Sequence, residues 1–216
     1  MKAYLFDLDG TVGETLPLCI AAFQAAIEPL VGRKVSAGEI AGTFGPSEEG
    51  TIMALVPQHF DEGLSAYVSH YTRLHPEMCP RPFEGIPQLI GQLRGAGKIV
   101  AMVTGKGPLS GAVTFRQFGL ESAFDEVVYG IPEGPSKPQG IARVLEHFAL
   151  APQDAVYIGD MPGDVTIAHA QGLKAYAAAW ADSADVQVLK DAEPEALFTS
   201  VADCARYIAQ QEGLKA

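Results

Sequence analysis

The chain has 216 residues, of which 48% are hydrophobic and 19% are charged. This composition predicts a folded globular protein and excludes a largely disordered one, and the length allows one substantial domain with a small second module. The formal net charge of −11 argues against binding to nucleic acid or to an anionic membrane, because both need basic surface patches.

Three cysteines are scattered along the chain, at Cys19, Cys79 and Cys204. Their odd number and wide spacing predict neither a disulfide framework nor a metal-binding cysteine motif, which favours a reducing compartment. The first residues lack the apolar segment of a signal peptide, and no apolar run approaches the ~18 residues of a membrane-spanning helix. We therefore expect a cytoplasmic protein without a membrane partner.

An apolar run at residues 4–6 leads into two carboxylates and a glycine, Asp7-Leu8-Asp9-Gly10. The run predicts a buried strand of a parallel sheet, and such sheets bind their ligands beyond the carboxyl ends of their strands. Because strand side chains alternate between faces, Asp7 and Asp9 would point the same way, and a divalent cation or a shared proton must relieve their repulsion. Taken alone, the motif could equally be an acidic turn after a strand.

Helical patterns without any strand pattern follow the first strand. The predicted helices cover residues 16–31, 48–55 and 60–74. Prolines and a glycine close this segment near residue 82, where a connection between two units is expected. The sequence thus predicts an all-helical domain at residues 15–82, inserted into a core that is formed by residues 1–14 and 83–216.

Helix and strand signals alternate in the rest of the chain. The predicted helices cover residues 86–94, 108–118, 139–148, 165–171 and 194–210. The predicted strands cover residues 98–103, 124–129, 155–158 and 174–179. Such alternation is typical of a doubly wound, Rossmann-like parallel sheet with right-handed crossovers, so the predicted fold is an α/β core with an inserted all-helical cap.

Polar and charged residues recur where these strands end. They are Asp7 and Asp9, then Thr104 with Gly105, then Lys137, and finally Asp160 and Asp164. Each has an ordinary explanation alone, as a strand-to-helix turn, a solvated lysine or a helix N-cap. In a parallel sheet, however, they would converge at one edge, and their joint occurrence favours a single active site there.

In this order, the motifs resemble those of the haloacid dehalogenase superfamily of aspartate-nucleophile phosphatases. The resemblance rests on Asp7-Leu8-Asp9-Gly10-Thr11, on Thr104 after a strand, on Lys137-Pro138 and on Gly159-Asp160-Met161-Pro162-Gly163-Asp164. The helical insert is similar to the family's cap of the first type. Residues 82–87 and 168–172 resemble the phosphoglycolate phosphatase group.

The resemblance implies an enzyme that uses Mg²⁺ and an aspartyl phosphate. Asp7 would attack phosphorus, while Asp9 would protonate the leaving oxygen and later activate the hydrolytic water. Asp7, Asp160 and the backbone carbonyl of Asp9 would bind Mg²⁺, an all-oxygen set that suits this ion. Asp164 would not bind the metal directly but would hold in place either a water ligand of the metal or Lys137.

The resemblance also implies a phosphate-binding set and a small substrate. Thr104, the Gly105 amide and Lys137 would hold the phosphate oxygens. A closing cap leaves room only for a small phosphomonoester, such as phosphoglycolate or a related metabolite. A monomer and a homodimer both remain open.

The turn before the second predicted helix is the best candidate for substrate contact within the cap. It contains Gly45, Ser47 and Glu48, and the N-terminal amides of a helix suit an anionic or hydroxylated group. Two alternatives stay open. A phosphosugar mutase of the same superfamily would need basic cap residues that bind a second phosphate, and a non-catalytic binding protein could keep the same fold.

Overall fold

The computed structural model describes residues 1–213, and its centre is a six-stranded sheet. The strands are β1 Ala3–Phe6, β2 Ile99–Val103, β3 Glu126–Val128, β4 Ala155–Gly159, β5 Lys174–Ala178 and β6 Ala196–Phe198. Their order is β3-β2-β1-β4-β5-β6, and all neighbouring strands are parallel. This is the order of a doubly wound sheet, which confirms the predicted fold class.

Helices cover both faces of the sheet and fill the segment between β1 and β2. They are α1 Leu16–Val31, α2 Ala37–Ala41, α3 Glu48–Leu55, α4 Phe60–Met78, α5 Ile86–Gly95, α6 Pro108–Phe118, α7 Lys137–His147, α8 Pro162–Ala170, α9 Val186–Asp191 and α10 Val201–Glu212. The predicted bounds of α1, α3 and α6 agree with these residues. Helices α2 and α9, each of six residues or fewer, were not predicted.

The first strand lies at the centre of the sheet and is buried on both faces. Tyr4 and Phe6 pack into the larger hydrophobic cluster, which also includes residues of α1 and α4, whereas Ala3 and Leu5 pack into the cluster on the opposite face. This alternation follows from the two-residue period of a strand. A strand with two buried faces reads as a continuous apolar run, which is why β1 was recognisable.

The predicted helix at residues 194–210 is wrong. Residues 196–198 form β6, which pairs with β5 through Tyr176 and Ala196, and the helix α10 begins only at Val201. The side chain of Ser200 accepts a hydrogen bond from the Asp203 amide and so caps α10. A three-residue strand has too little alternation to be distinguished from the first turn of a helix, so its pairing with β5 determines its conformation.

Helices α1 to α4 pack against one another beside the sheet. The rings of Phe23 in α1 and Tyr67 in α4 stack with centroids 4.1 Å apart. In residues 1–213, no helix has the length and apolarity needed to cross a membrane. Cys19, Cys79 and Cys204 are all buried and unpaired, so none of the chain's cysteines forms a disulfide.

Candidate active site

The nucleophile candidate lies at the point where the sheet reverses its winding direction. The adjacent central strands β1 and β4 pair Phe6 with Ile158, and the Asp7 amide continues the ladder by donating to the Ile158 carbonyl at 2.9 Å. Asp7 and Asp160 therefore leave neighbouring strands at the same edge, and each is only 5% exposed. Doubly wound sheets bind ligands in the crevice at this reversal.

Three buried carboxylates meet at this edge. Asp7, Asp160 and Asp164 each offer an oxygen that lies within 4.8 Å of the others. Burial and the neighbouring carboxylates raise the pKa of Asp160 to about 8. Burial raises the pKa of Asp7 to about 6, against the opposing effect of Lys137. Such a repulsive set of hard oxygen donors fits a divalent cation such as Mg²⁺, which would relieve the repulsion.

The glycine of the first motif makes room for this cluster. Gly10 has a φ of +78°, and a Cβ atom at this position would lie 2.1 Å from Oδ2 of Asp160. The next residue, Thr11, donates its hydroxyl hydrogen bond to Oδ1 of Asp160 at 3.3 Å. Any larger residue at position 10 would combine backbone strain with displacement of Asp160.

The lysine of the third motif joins two of the carboxylates. The Nζ atom of Lys137 lies 2.8 Å from Oδ2 of Asp7 and 2.5 Å from Oδ1 of Asp164. Burial opposes the charge, but Asp164 and Asp7 hold the pKa of the Lys137 ammonium group well above its usual range. Asp164 also accepts a hydrogen bond from the Met161 amide, which fixes its carboxylate at the start of α8.

The predicted phosphate loop follows β2, the neighbour of β1 on the side away from β4. The Thr104 side chain is buried, and its hydroxyl oxygen accepts a hydrogen bond from the Lys106 amide at 3.2 Å. Two other loops lie close to Gly105. A Cβ atom at Gly130 would lie 2.0 Å from the Gly105 carbonyl oxygen, and one at Gly105 would lie 3.8 Å from the Gly45 carbonyl oxygen.

Asp9 lies beside a buried lysine, Lys106, which is not among the predicted site residues. The Nζ atom of Lys106 is 3.1 Å from Oδ1 of Asp9, and the Thr15 hydroxyl donates to the same oxygen. Lys106 stands two positions after Thr104, and its closeness to this predicted phosphate-binding residue was the signal for it that the sequence offered. Its partners come from distant parts of the sequence, and for this reason spacing alone gave no indication of its surroundings.

The turn before α3 meets the core at this edge of the sheet. Glu48 accepts hydrogen bonds from the Gly107 amide and the Ser110 hydroxyl, both at the start of α6. The Ser47 amide donates to the Ile131 carbonyl at 2.8 Å. Ser47 occupies the N-cap position of α3, but its hydroxyl donates to Glu49 and makes no capping bond.

The basic residues of the insert face solvent. All four lysines and arginines between residues 15 and 82 are exposed, namely Arg33, Lys34, Arg73 and Arg81. Arg33 pairs with Glu39, and Lys34 pairs with Glu28, at the protein surface. The charged side chain that the insert directs onto the core beside Asp9 is instead the acidic Glu48.

Comparisons with known proteins give a family match over most of the chain. Residues 4–178 match the family model described as haloacid dehalogenase-like hydrolase. The putative pyrophosphatase PpaX of Caldanaerobacter subterraneus subsp. tengcongensis is 26% identical over 90% of this chain and 89% of that protein. The tyrosine-protein kinase PtkA of Mycobacterium tuberculosis is 29% identical over 82% of this chain, but the match spans only 61% of that protein.

A solved structure shares the fold over nearly the whole chain. It is described as a predicted phosphoglycolate phosphatase from Haemophilus somnus, and it superposes with a TM-score of 0.77 over 96% of this chain and 98% of that one. The sequence identity is 19%, so this likeness concerns the fold alone.

Proposed function

Since the chain belongs to the haloacid dehalogenase-like hydrolases, we propose that it is a Mg²⁺-dependent phosphatase that forms an aspartyl phosphate on Asp7. The observation that carries this proposal is the position of Asp7. Its carboxylate is buried, adjoins two further carboxylates and contacts the ammonium group of Lys137 at 2.8 Å. A carboxylate nucleophile that contacts a lysine and belongs to a cation-binding cluster is suited to attack an anionic phosphate group.

The surrounding residues can supply part of the charge neutralisation that phosphoryl transfer needs. Thr104 and the Gly105 amide would bind phosphate oxygens, and Lys137 would offset their negative charge. Asp7, Asp160 and the backbone carbonyl of Asp9 would hold Mg²⁺, which supplies further neutralisation when it is bound. Asp164 keeps Lys137 in place from the other side.

Asp9 would act as the acid and base. A phosphate ester with a poor leaving group needs a proton on its departing oxygen, and the water that later attacks the aspartyl phosphate needs to lose one. Asp9 follows Asp7 by two positions, and its side chain is 26% exposed. It can therefore exchange protons with substrate and water, while Asp7 is enclosed.

The substrate would be a small phosphorylated metabolite, selected by the insert at residues 15–82. Gly45 lies close to Gly105, and Ser47 and Glu48 contact core loops beside the site. A protein or polymer substrate would require this covering turn to move away. Phosphoglycolate and inorganic pyrophosphate are suitable test compounds, because they occur in the names of a structural neighbour and of a relative.

The two alternative functions have less support. A mutase needs basic cap residues for a second phosphate, whereas the four bases of the insert are exposed and Glu48 is the charged group that reaches the core near Asp9. A non-catalytic binding protein would have no need for the complete set of charged motif residues. We further propose that the enzyme acts in the cytoplasm, as a monomer or a homodimer.

The test is a measurement of phosphate release from a panel of small phosphate esters, pyrophosphate and an aryl phosphate, with Mg²⁺ or with a chelator. We expect turnover of at least one natural ester that depends on Mg²⁺ and on Asp7. The absence of turnover on every compound would contradict the proposal. A requirement for a sugar bisphosphate would favour the mutase, and transfer of label from ATP to a peptide tyrosine would favour a kinase.

A further inference from the structure

Within residues 1–213, hydrogen bonds hold the carboxylate of Asp9 through only one of its oxygens. Lys106, Thr15 and, at 3.9 Å, the Cys19 thiol donate to Oδ1, whereas Oδ2 receives no hydrogen bond from residues 1–213. Three donors on one oxygen restrain the rotation of the carboxylate. Oδ2 is thus the oxygen that remains available for a hydrogen bond with substrate.

The lysine that makes this contact is surrounded by residues of the insert. The Lys106 side chain is 1% exposed, although it belongs to the core loop after β2. Its Nζ atom lies 3.1 Å from Sγ of Cys19 in α1, 3.5 Å from Oε1 of Glu48 in α3 and 4.5 Å from the ring centroid of Tyr71 in α4. Three helices of the insert thus enclose one lysine of the core.

Glu48 is itself held in place by both parts of the molecule. It accepts hydrogen bonds from Gly107 and Ser110 of the core and from the Tyr67 hydroxyl of the insert. Its side chain is 9% exposed. A carboxylate with so many donors has little freedom, so it is a firm partner for the Lys106 ammonium group.

We propose that Lys106 is a positioning residue for Asp9, and that Glu48 holds Lys106 in the position this requires. The proposal rests on the proposed function, because it concerns the acid of that reaction. When the insert is seated, Lys106 is shared between Glu48 and Asp9 and fixes Oδ1 of Asp9. If the insert withdraws, Lys106 loses its contacts with Cys19, Glu48 and Tyr71, and Asp9 loses a fixed donor. Correct orientation of the acid thereby depends on closure of the insert.

The experiment compares two substrates that differ in their need for an acid. An aryl phosphate with a good leaving group departs without protonation, whereas an alkyl phosphate needs it. For Lys106→Met, we expect kcat on the alkyl ester to fall about tenfold more than kcat on the aryl ester, with a smaller change in KM. Lys106→Arg keeps the charge and should recover part of the loss. Glu48→Gln should give the same pattern with a smaller amplitude.

The matched control is Lys98→Met. Lys98 is also a largely buried lysine in an ion pair, but its partner is Glu212 of α10. Lys98 directly precedes β2, so this pair lies at the opposite end of that strand from Lys106. This variant should leave the ratio of the two rates unchanged. Lys106→Met leaves Glu48 buried without its cation, so thermal unfolding should be used to check that this variant is folded. If the variant is not folded, the double variant Glu48→Gln with Lys106→Met, which removes both charges, should be measured in its place.

Two results would overturn the proposal. Equal losses on the two esters would mean that Lys106 only stabilises the structure, and a loss confined to KM would mean that it binds substrate. Failure of the proposed function would look different. In that case the wild type would turn over neither ester, or Asp9→Asn would itself show no dependence on the leaving group.

Discussion

The Nζ atom of Lys137 lies 2.8 Å from Oδ2 of Asp7, although the two residues are 130 positions apart in the chain. The contact exists because β1 lies at the centre of the sheet and α7 begins at the same edge of it. A cation at this distance favours the ionised carboxylate, which is the nucleophilic form. The burial of Asp7 works in the opposite direction and raises its pKa to about 6, so the charge of this proposed nucleophile depends on its neighbours.

We predict that Asp7→Asn abolishes turnover and leaves the protein folded. The amide is a poor nucleophile and a poor Mg²⁺ ligand, so activity should fall by several orders of magnitude. Lys137 keeps its contact with Asp164, and the loss of a buried carboxylate relieves repulsion, so the structure should tolerate the change. Phosphate release and thermal unfolding are the measurements. Activity within tenfold of the wild type would exclude the covalent intermediate.

A trapping experiment supplements this comparison. Wild-type protein mixed with a labelled substrate and denatured rapidly with acid should carry label on Asp7, which peptide mapping can locate. The Asp7→Asn protein should carry none. Label on another residue would place the nucleophile elsewhere in the site.

A second prediction concerns the stability of the metal-free protein. Burial and neighbouring carboxylates raise the pKa of Asp160 from 3.8 to about 8. Between these two values the folded protein keeps a proton that the unfolded chain has lost, so the free energy of unfolding should fall as the pH rises. Asp7 contributes with the same sign, because its pKa is also raised. Urea unfolding in a chelator should therefore give a lower midpoint at about pH 8 than at about pH 5.

The variant Asp160→Asn should remove much of this pH dependence. It should be more stable than the wild type at the higher pH, and added Mg²⁺ should stabilise the wild type far more than the variant. Asp182→Asn is the control, since Asp182 is exposed and lies outside the cluster. A metal-free wild type that becomes more stable over this pH range would contradict the proposed repulsion among these carboxylates.

A third prediction separates the roles of the two aspartates in the first motif. Asp9→Asn should lower the rate on an alkyl phosphate by about 10²- to 10⁴-fold, and the rate on an activated aryl phosphate much less. The physical reason is that only the poor leaving group needs a proton. The phosphorylation step should be measured in single turnover, so that slow hydrolysis of the intermediate does not obscure it. Equal losses on both substrates would exclude Asp9 as the acid.

A fourth prediction tests whether the insert selects the substrate. Ser47 is buried between the insert and the core, and Ser47→Ala keeps the backbone bond to Ile131 while it removes the hydroxyl. We expect the order of kcat/KM among the natural esters to change, with a smaller change for the aryl phosphate. Ser65→Ala is the control, because Ser65 is exposed on α4 of the same insert. An unchanged order would mean that Ser47 serves only the start of α3.

Much of the core was predictable because the sheet is parallel and buried. Continuous apolar runs marked β1, β2 and β4, and the convergence of Asp7 and Asp160 followed from the rule that parallel strands end at one edge. The short strand β6 was not predictable, because three residues carry no clear period and its conformation comes from pairing with β5.

The surroundings of Asp9 could not be predicted for a related reason. Lys106 was visible in the sequence beside Thr104, but a lysine after a strand is usually solvated. Its burial depends on Cys19, Glu48 and Tyr71, which lie on three different helices. Local spacing contains no information on how such helices pack over a loop, and so the charged contact between insert and core became apparent only in three dimensions.

The last prediction concerns the seating of the insert itself. Gly50 lies in α3, and a Cβ atom there would lie 2.5 Å from the Pro132 carbonyl oxygen of the core and 2.4 Å from Cβ of Pro46. Gly50→Ala should therefore displace α3 from the core, and Glu48, the first residue of α3, should move with it. A misplacement of about 1 Å can cost about 10²-fold in rate, so turnover of an alkyl phosphate should fall steeply although no motif residue has changed.

The control for this variant is Gly91→Ala. Gly91 lies in α5, and a Cβ atom there would have no neighbour within 4 Å. Alanine is favoured over glycine in a helix by about 1 kcal/mol, so this variant should be slightly more stable and fully active. If Gly50→Ala also kept the wild-type rate on the alkyl ester, contact between α3 and the Pro132 loop would be dispensable for turnover. If it lost the alkyl and aryl rates equally, the displacement would act on the phosphate site as a whole. A selective loss on the alkyl ester is expected, because displacement of Glu48 should disturb Lys106 and, through it, Asp9.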